Sequence, residues 1–389
     1  MRTQTERGLA LGRAREETDA LFRLVRSDSL YERPIAERHR IVFYIGHLEA
    51  FDWNLVGRYA LDKRSFHPEF DRLFAFGIDP PPGELPSDRP ADWPGLQEVE
   101  RYTQRIRDEI DDVLDEVPEQ LWHVAMEHRL MHAETLAYML HNLPYEKKVA
   151  PPVPLSASAP GPVPVTRMIG IPAGAARLGR DPGEGFGWDN EFQAHTVEVP
   201  AFAISRYKVT NGEYLQFVRQ GAAPPYFWVE RDGDWFYRGM FAEIPLPLDW
   251  PVYATSEEAA AFARWRGMRL PSEPEFHRAA GAPPASGNFD FRHWDPVPVT
   301  SGERAGREAL PEQMFGNGWE WTSSAFAPFP GFEPFPFYTN YSAPFFDGRH
   351  HVLKGASPRT AACFLRTSFR NWFRPSYPYL YAGFRLAAS

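Results

Sequence analysis

The sequence predicts an α+β chain: a helical bundle over residues 1–149, a linker over 150–165, and a second domain, poor in regular structure, over 166–389. Three observations predict it. Residues 8–148 carry apolar positions at helical spacing with few glycines. Residues 150–165 are almost wholly proline, alanine, serine and valine, a composition that runs extended. Beyond them tryptophan, proline and glycine are frequent and the apolar runs are short.

In the first part, Ala10–Ser27, Ile35–Leu61, Leu96–Glu116 and Glu119–Leu143 each suit an amphipathic helix. Four such segments make a four-helix bundle, a fold that builds metal sites between facing helices. Ile78–Pro94 is rich in proline and breaks the pattern, so it reads as a long loop. In the second part, Thr196–Ile204, Val352–Lys354 and Ala382–Ala387 read as short strands. Asn211–Arg219 and Ser256–Arg266 read as short helices, the latter capped by Thr255 with Glu257 and Glu258 in its first turn.

Composition limits the function. The chain has 389 residues, enough for two domains, and 43% hydrophobic content with 15% aromatic, enough for real cores. A net charge of −9 without a long basic block argues against nucleic acid as a partner. No apolar run reaches about 18 residues, so no membrane span is expected. The charged start, Met1-Arg-Thr-Gln-Thr-Glu-Arg7, lacks an apolar signal core and makes the cytoplasm the expected location. The single cysteine, Cys363, excludes an intramolecular disulfide and a thiolate-rich metal site, and its apolar surroundings read as core.

The chemistry-bearing residues are histidines. His128 and His132 stand four apart in a predicted helix, which stacks two imidazoles on one face as two ligands of one ion require. His47 lies in another apolar helical run and offers a third nitrogen. Three protein ligands leave positions open for substrate or oxygen. The pattern alone leaves alternatives open. Buried histidines are common in cores, and His123 and His141 are rival ligands. Glu134 follows His132 by two and suits a supporting role better than ligation. The acid- and glycine-rich stretch Asp181–Glu191 offers oxygens for a structural Ca2+, or is a solvated loop.

The second half resembles the formylglycine-generating-enzyme-like, or sulfatase-modifying-factor, domain, whose fold is C-type-lectin-like. The resemblance is carried by Met168-Ile-Gly-Ile-Pro-Ala-Gly174, Tyr207-Lys-Val-Thr-Asn211, Trp250-Pro-Val-Tyr253, Arg269-Leu-Pro-Ser-Glu-Pro-Glu275, Gly316-Asn-Gly-Trp-Glu-Trp-Thr322, Leu353-Lys-Gly355 and Gly383-Phe-Arg385. The first half resembles the DinB-like four-helix family, with His47, His128, His132 and Glu134 matching its His…His-x-x-x-His-x-Glu pattern. The two in this order resemble the ergothioneine-type sulfoxide synthases. That resemblance implies Fe(II) on three histidines, O2 as co-substrate, and sulfur joined to an imidazole carbon of hercynine. It also sets aside formylglycine generation, which resembles a copper site on paired cysteines.

The implied chemistry suits the residues. Neutral imidazoles suit Fe(II). The soft donor's own electrons reduce O2, so no separate redox cofactor is required. Hercynine's trimethylammonium cannot donate a hydrogen bond and is best held over aromatic rings. Phe369-Arg-Asn-Trp-Phe-Arg374 supplies such rings, and the resemblance places Asn371 and Trp372 in the imidazole-substrate pocket.

The chain departs from the family at several positions. Phe373 stands where an aspartate is usual, Phe346 where a proton-donating tyrosine is usual, and Met131 where a glutamine precedes the last ligand. Paired arginines for a γ-glutamylcysteine donor are not evident in the Ile78–Pro94 loop. A phenylalanine cannot give a proton, so Tyr338, Tyr341, Tyr377 and Tyr379 become the candidate donors. These departures favour a neutral selenosugar, as in the selenoneine branch, over cysteine or a cysteine peptide. Three alternatives remain open: an ergothioneine- or ovothiol-type synthase using such a thiol, a DinB-like zinc thiol transferase, and a non-catalytic ligand-binding module.

Overall fold

The computed structural model describes residues 6–78, 85–150, 161–303 and 309–389. The chain divides into two compact units, 1–154 and 155–389. Most of the expected linker, residues 151–160, lies outside the described residues, as do 79–84 of the expected loop.

The first unit is helical: α1 (Glu6–Arg23), α2 (Ile41–Asp52), α3 (Pro68–Phe76), α4 (Leu96–Asp111) and α5 (Glu119–His141). In α4, Val99, Tyr102, Ile106 and Ile110 are buried at helical spacing, so a single apolar stripe faces inward. Helix α5 buries residues on all sides, from Leu121 to His141. The expected helix over 35–61 starts later, at Ile41, and from Trp53 to Ala60 it winds as a π-helix. The end of the third expected helix, 112–116, leaves the α form and holds a 3-10 turn at Leu114–Glu116.

Helix α3 was not expected from periodicity. It has nine residues, too few for a clear apolar repeat, and its start is set by Pro68 and by His67, whose Nδ1 accepts from the Phe70 amide at 3.3 Å. Its ring of Phe74 packs flat into α2. A Cβ on Gly46 would lie 2.3 Å from that ring, so only glycine allows the approach.

Within the apolar packing of α1, α2, α4 and α5 lies an ionic network. Arg129 is 0% exposed and donates to Glu49 and Asp52, each at 2.8 Å. Arg107 reaches Glu49 at 2.8 Å and Asp19 at 2.7 Å. Burial alone would raise the Glu49 carboxyl, but the Arg129 and Arg107 guanidiniums outweigh it and hold it below the usual range.

The second unit holds β1 (Met168–Ile171), β2 (Gly174–Leu178), β3 (His195–Val199), β4 (Phe202–Ser205), α6 (Asn211–Val218), β5 (Trp228–Arg231), β6 (Asp234–Arg238), β7 (Glu243–Pro245), α7 (Ser256–Trp265), α8 (Glu273–Ala279), β8 (Gly318–Ala325), β9 (His351–Ala356), β10 (Asn371–Phe373), β11 (Ala382–Gly383) and β12 (Ala387–Ala388). They form small sheets in the orders β1-β4-β12, β10-β9-β8-β11, β2-β3 and β5-β6-β7. The strand run expected at 382–387 is two short strands in two sheets, β11 and β12. Among the described residues, helices α6, α7 and α8 start in capping boxes: Thr210 with Glu213, Thr255 with Glu258, and Ser272 with Glu275. The last of these makes α8, a seven-residue helix too short to show a period in sequence.

So little regular structure needs other ties. Glu320, fully buried, takes Arg385 at 3.0 Å and Lys208 at 2.9 Å. Glu273 takes Arg370 at 3.0 Å, and Glu191 takes Arg366 at 2.6 Å. These pairs join segments distant in sequence. Cys363, expected in the core, is exposed, because a 3-10 turn at Ala362–Phe364 carries it outward while Phe364 is buried.

Arg129 tests the ionic network. Arg129→Ala strands two carboxylates in a dry interior, which costs about 3–5 kcal/mol. Urea denaturation of the helical unit should show a loss of that size. A loss under about 1 kcal/mol would mean that water reaches the network, as for an exposed pair.

Candidate metal centre

His47, His128 and His132 converge within the first unit. Their ligand-capable atoms all lie within 4.8 Å of one another. His128 and His132 project from one face of α5, with ring centroids 4.5 Å apart. His47 comes from α2, with its Nε2 3.1 Å from the Nε2 of His132. Two nitrogens each about 2.1 Å from one ion, at angles of about 90–110°, lie about 3.0–3.4 Å apart. The His47–His132 spacing fits shared coordination.

The protonation states fit as well. Burial pushes His47 down to about 4. Burial, then the neighbouring imidazoles, push His128 and His132 well below the usual range. All three are neutral at pH 7 and present lone pairs. For His47 the tautomer follows from geometry. Its Nδ1 lies 2.7 Å from the Phe74 carbonyl oxygen. A carbonyl only accepts, so Nδ1 carries the hydrogen and Nε2 is left for a ligand role.

Aromatic rings fix the planes of two ligands. Phe51 stacks on His128 at 3.4 Å and 9°, and Phe43 stacks on His47 at 4.8 Å and 25°. Phe43, His47 and Phe51 stand four apart on α2, a spacing that could have flagged both phenylalanines in the sequence. No sequence signal pointed to the Phe74 carbonyl, since any residue could supply it. The rivals are elsewhere. His141 is buried at the end of α5, and His123 lies 3.8 Å from exposed Glu119. Met131 and Glu134 are partly buried on α5, on either side of His132.

Of the sequence-predicted substrate residues in the second unit, Trp372, on the edge strand β10, and Phe346 join one aromatic cluster, and Phe373 lies in another. Trp372, half-buried, lies parallel to buried Phe326 at 4.3 Å and 5°. Phe346 lies 4.8 Å from Phe326, and Tyr341 meets Trp372 edge-on at 5.2 Å. Phe326, absent from the sequence reading, is the floor of the cluster. The side chain of Asn371 accepts from the Trp372 amide at 2.9 Å. Tyr338 is 5.5 Å from Tyr341, and burial with the charge of Asp189 pushes its hydroxyl up to about 12. Tyr377 and Tyr379 belong to a different stack, which begins at Phe373: Phe373 to Tyr377 is 5.2 Å and Tyr377 to Tyr379 is 5.1 Å. The four tyrosines are thus not one group.

The Asp181–Glu191 oxygens are largely spoken for. Arg177 takes Asp181 and Glu184, Arg366 takes Glu191, and the Ser342 hydroxyl donates to Asp189. Asp189 Oδ2 and Asn190 Oδ1 are buried without a hydrogen-bond partner among the described residues.

A titration checks the centre. The chain should bind about one divalent ion, and His132→Ala should weaken that binding at least about 10-fold. Protons compete with metal only where the imidazoles titrate. Loading should therefore hold as pH falls from 7 to 5 and fail only nearer 4. Release centred near pH 6.5, where free imidazole titrates, would show the ligands to be solvated.

The comparisons with known proteins agree with this layout. Residues 10–143 match the DinB superfamily, and residues 155–298 and 298–389 match the sulfatase-modifying factor enzyme 1-like domain. A hercynine oxygenase of Mycolicibacterium thermoresistibile is 34% identical over 75% of this chain and 74% of that protein. Ergothioneine biosynthesis protein 1 of Neurospora crassa is 27% identical over 92% of this chain and 55% of that protein, so the chain spans about half the length of that relative. Among solved structures, PvdO of Pseudomonas aeruginosa matches 57% of this chain and 94% of its own, at 22% identity and a TM-score of 0.42. On its two domain matches and its mycobacterial relative, the chain belongs to the ergothioneine-type sulfoxide synthase family.

Proposed function

We propose that the chain is a non-heme Fe(II) enzyme that uses O2 to join a sulfur or selenium donor to the imidazole carbon of hercynine. The observation that carries the reading is the convergence of three neutral imidazoles, with one tautomer set by a backbone carbonyl. His47, His128 and His132 would hold the ion, and their neutral donor set suits Fe(II) without filling its coordination. Iron bound there supplies O2 activation, and the soft donor supplies electrons. The balance is simple. The donor's S–H or Se–H bond and the imidazole C–H bond are lost, a C–S or C–Se bond forms, one oxygen atom goes to sulfur or selenium, and the other leaves as water.

The residues of the second unit would hold the substrate. Trp372 offers a ring face to a trimethylammonium, an attraction of about 0.5–2 kcal/mol, with Phe326 stacked behind it and Tyr341 packed edge-on beside it. Asn371, Phe346 and Phe373 complete the assignment. Of the four candidate proton donors, Tyr341 stands against Trp372 and is our choice. For the donor itself we favour a neutral selenosugar. Phe373 has Tyr377 stacked on it, an uncharged surface that suits a sugar better than an ionised amino acid. The chemistry we assign requires neither nucleic acid nor membrane, and no helix among the described residues is long and apolar enough to cross a bilayer.

Turnover tests the reading. With Fe(II), O2, hercynine and a selenosugar, the protein should yield a C–Se adduct. Turnover with cysteine or a cysteine peptide alone would overturn the donor and keep the class. Activity that persists with zinc and without O2 would overturn the class, because zinc is redox-silent. Trp372→Ala should raise KM for hercynine about 10-fold, with kcat changed less. An unchanged KM would remove Trp372 from the substrate's cation.

A further inference from the structure

The Phe74 carbonyl that fixes the His47 tautomer does not belong to a rigid part of the bundle by its own nature. It lies near the end of α3, a nine-residue helix, and helices that short are marginal without packing. Gly77, at φ 74°, closes the helix, so the carbonyl of Phe74 is among those that the last turn leaves without a helical partner. It can therefore accept from His47, and something outside the helix must hold it there.

Asp71, on the same helix and 2% exposed, does this. One Oδ accepts from the Tyr102 hydroxyl on α4 at 2.8 Å. The other accepts from Trp53 Nε1 at 3.3 Å and from the Ser65 hydroxyl at 2.5 Å. The backbone carbonyl of Asp71 takes the Asn54 amide at 3.1 Å. Trp53 and Asn54 are the first residues of the π-helical stretch that continues α2 beyond His47. Gly57 leaves room for the Trp53 ring, since a Cβ there would lie 2.4 Å from it. The helical irregularity, the glycine and the buried carboxylate thus serve one joint, between the helix that carries His47 and the helix that carries its hydrogen-bond acceptor.

We propose that Asp71 is a positioning residue for the metal: it locks α3 to α2 and α4 so that the Phe74 carbonyl holds His47 in the Nδ1–H tautomer, with Nε2 turned to the ion. The inference rests on the three-histidine reading of the site and adds to it a residue of the chain that neither ligates nor touches a ligand. The partner of a ligating imidazole's distal N–H typically contributes 10–100-fold to metal affinity, about as much as its loss removes. Asp71 acts through that partner.

The test uses the full chain, with Co2+ as a spectroscopic probe and Zn2+ for affinity by chelator competition. Asp71→Asn keeps the size of the side chain but offers one acceptor where three donors meet. It should weaken Zn2+ binding about 10-fold or more and change the visible Co2+ bands. Gly46→Ala disturbs the same joint from the α2 side, by driving against the Phe74 ring, and should shift the bands in the same way. Leu21→Ala, in the core of α1 and 1% exposed, destabilises the bundle without touching the joint and should leave affinity and bands as in the parent. Parent-like affinity and bands in Asp71→Asn overturn the proposal. So does an equal loss in Leu21→Ala, which would reduce the effect to general loosening. If the parent chain itself binds neither ion, the three-histidine reading fails instead.

Discussion

The site depends on keeping three imidazoles neutral and aimed at one point inside a helical bundle. Burial supplies the first condition: it makes protonation costly, so lone pairs survive at neutral pH. Aim is supplied by contacts that touch each ring in a different way. The α5 helix sets the spacing of His128 and His132. Phe51 and Phe43 set ring planes by stacking. A carbonyl from α3 sets which nitrogen of His47 faces inward.

Charge would undo this arrangement if it stood uncompensated nearby. Arg129 follows His128 directly and is fully buried, a cation beside a cation site. Glu49 and Asp52 balance it, and Arg107 with Asp19 extends the balance outward. The same residues tie α2 to α5 and α4 to α1. The network therefore holds the scaffold together while keeping net positive charge away from the ligands, and its cost in desolvation is offset by the attraction of Arg129 to two carboxylates. The second unit solves a different problem by similar means: short strands and loops are cross-linked by buried arginine–glutamate and lysine–glutamate pairs, which free the edge strand β10 to display Trp372.

Much of this was legible in the sequence because it rests on side-chain identity at fixed spacing. His128 and His132 announce themselves by a four-residue interval, and His47 by its apolar helical setting. The motifs from Met168 to Arg385 marked the second unit for the same reason. What stayed hidden rests on backbone groups and on short elements. Helix α3 has too few residues to show a period, and its contribution is a carbonyl that any residue could supply. Phe326 reads as one more core aromatic, and only the register of β8, β9 and β10 brings it onto Trp372. Cys363 sits among apolar letters, yet a single 3-10 turn faces it outward. The four tyrosines looked equivalent as letters and fall into two separate stacks in space.

The account's central claim is that one iron is held by three nitrogens from two helices. X-ray absorption at the iron edge of the Fe(II)-loaded chain tests it most directly, because imidazole rings give a distinctive multiple-scattering pattern that can be counted. The account predicts three imidazoles per iron in the parent and two in a chain lacking His47. A parent spectrum with one imidazole or none, or one unchanged by loss of His47, would contradict it.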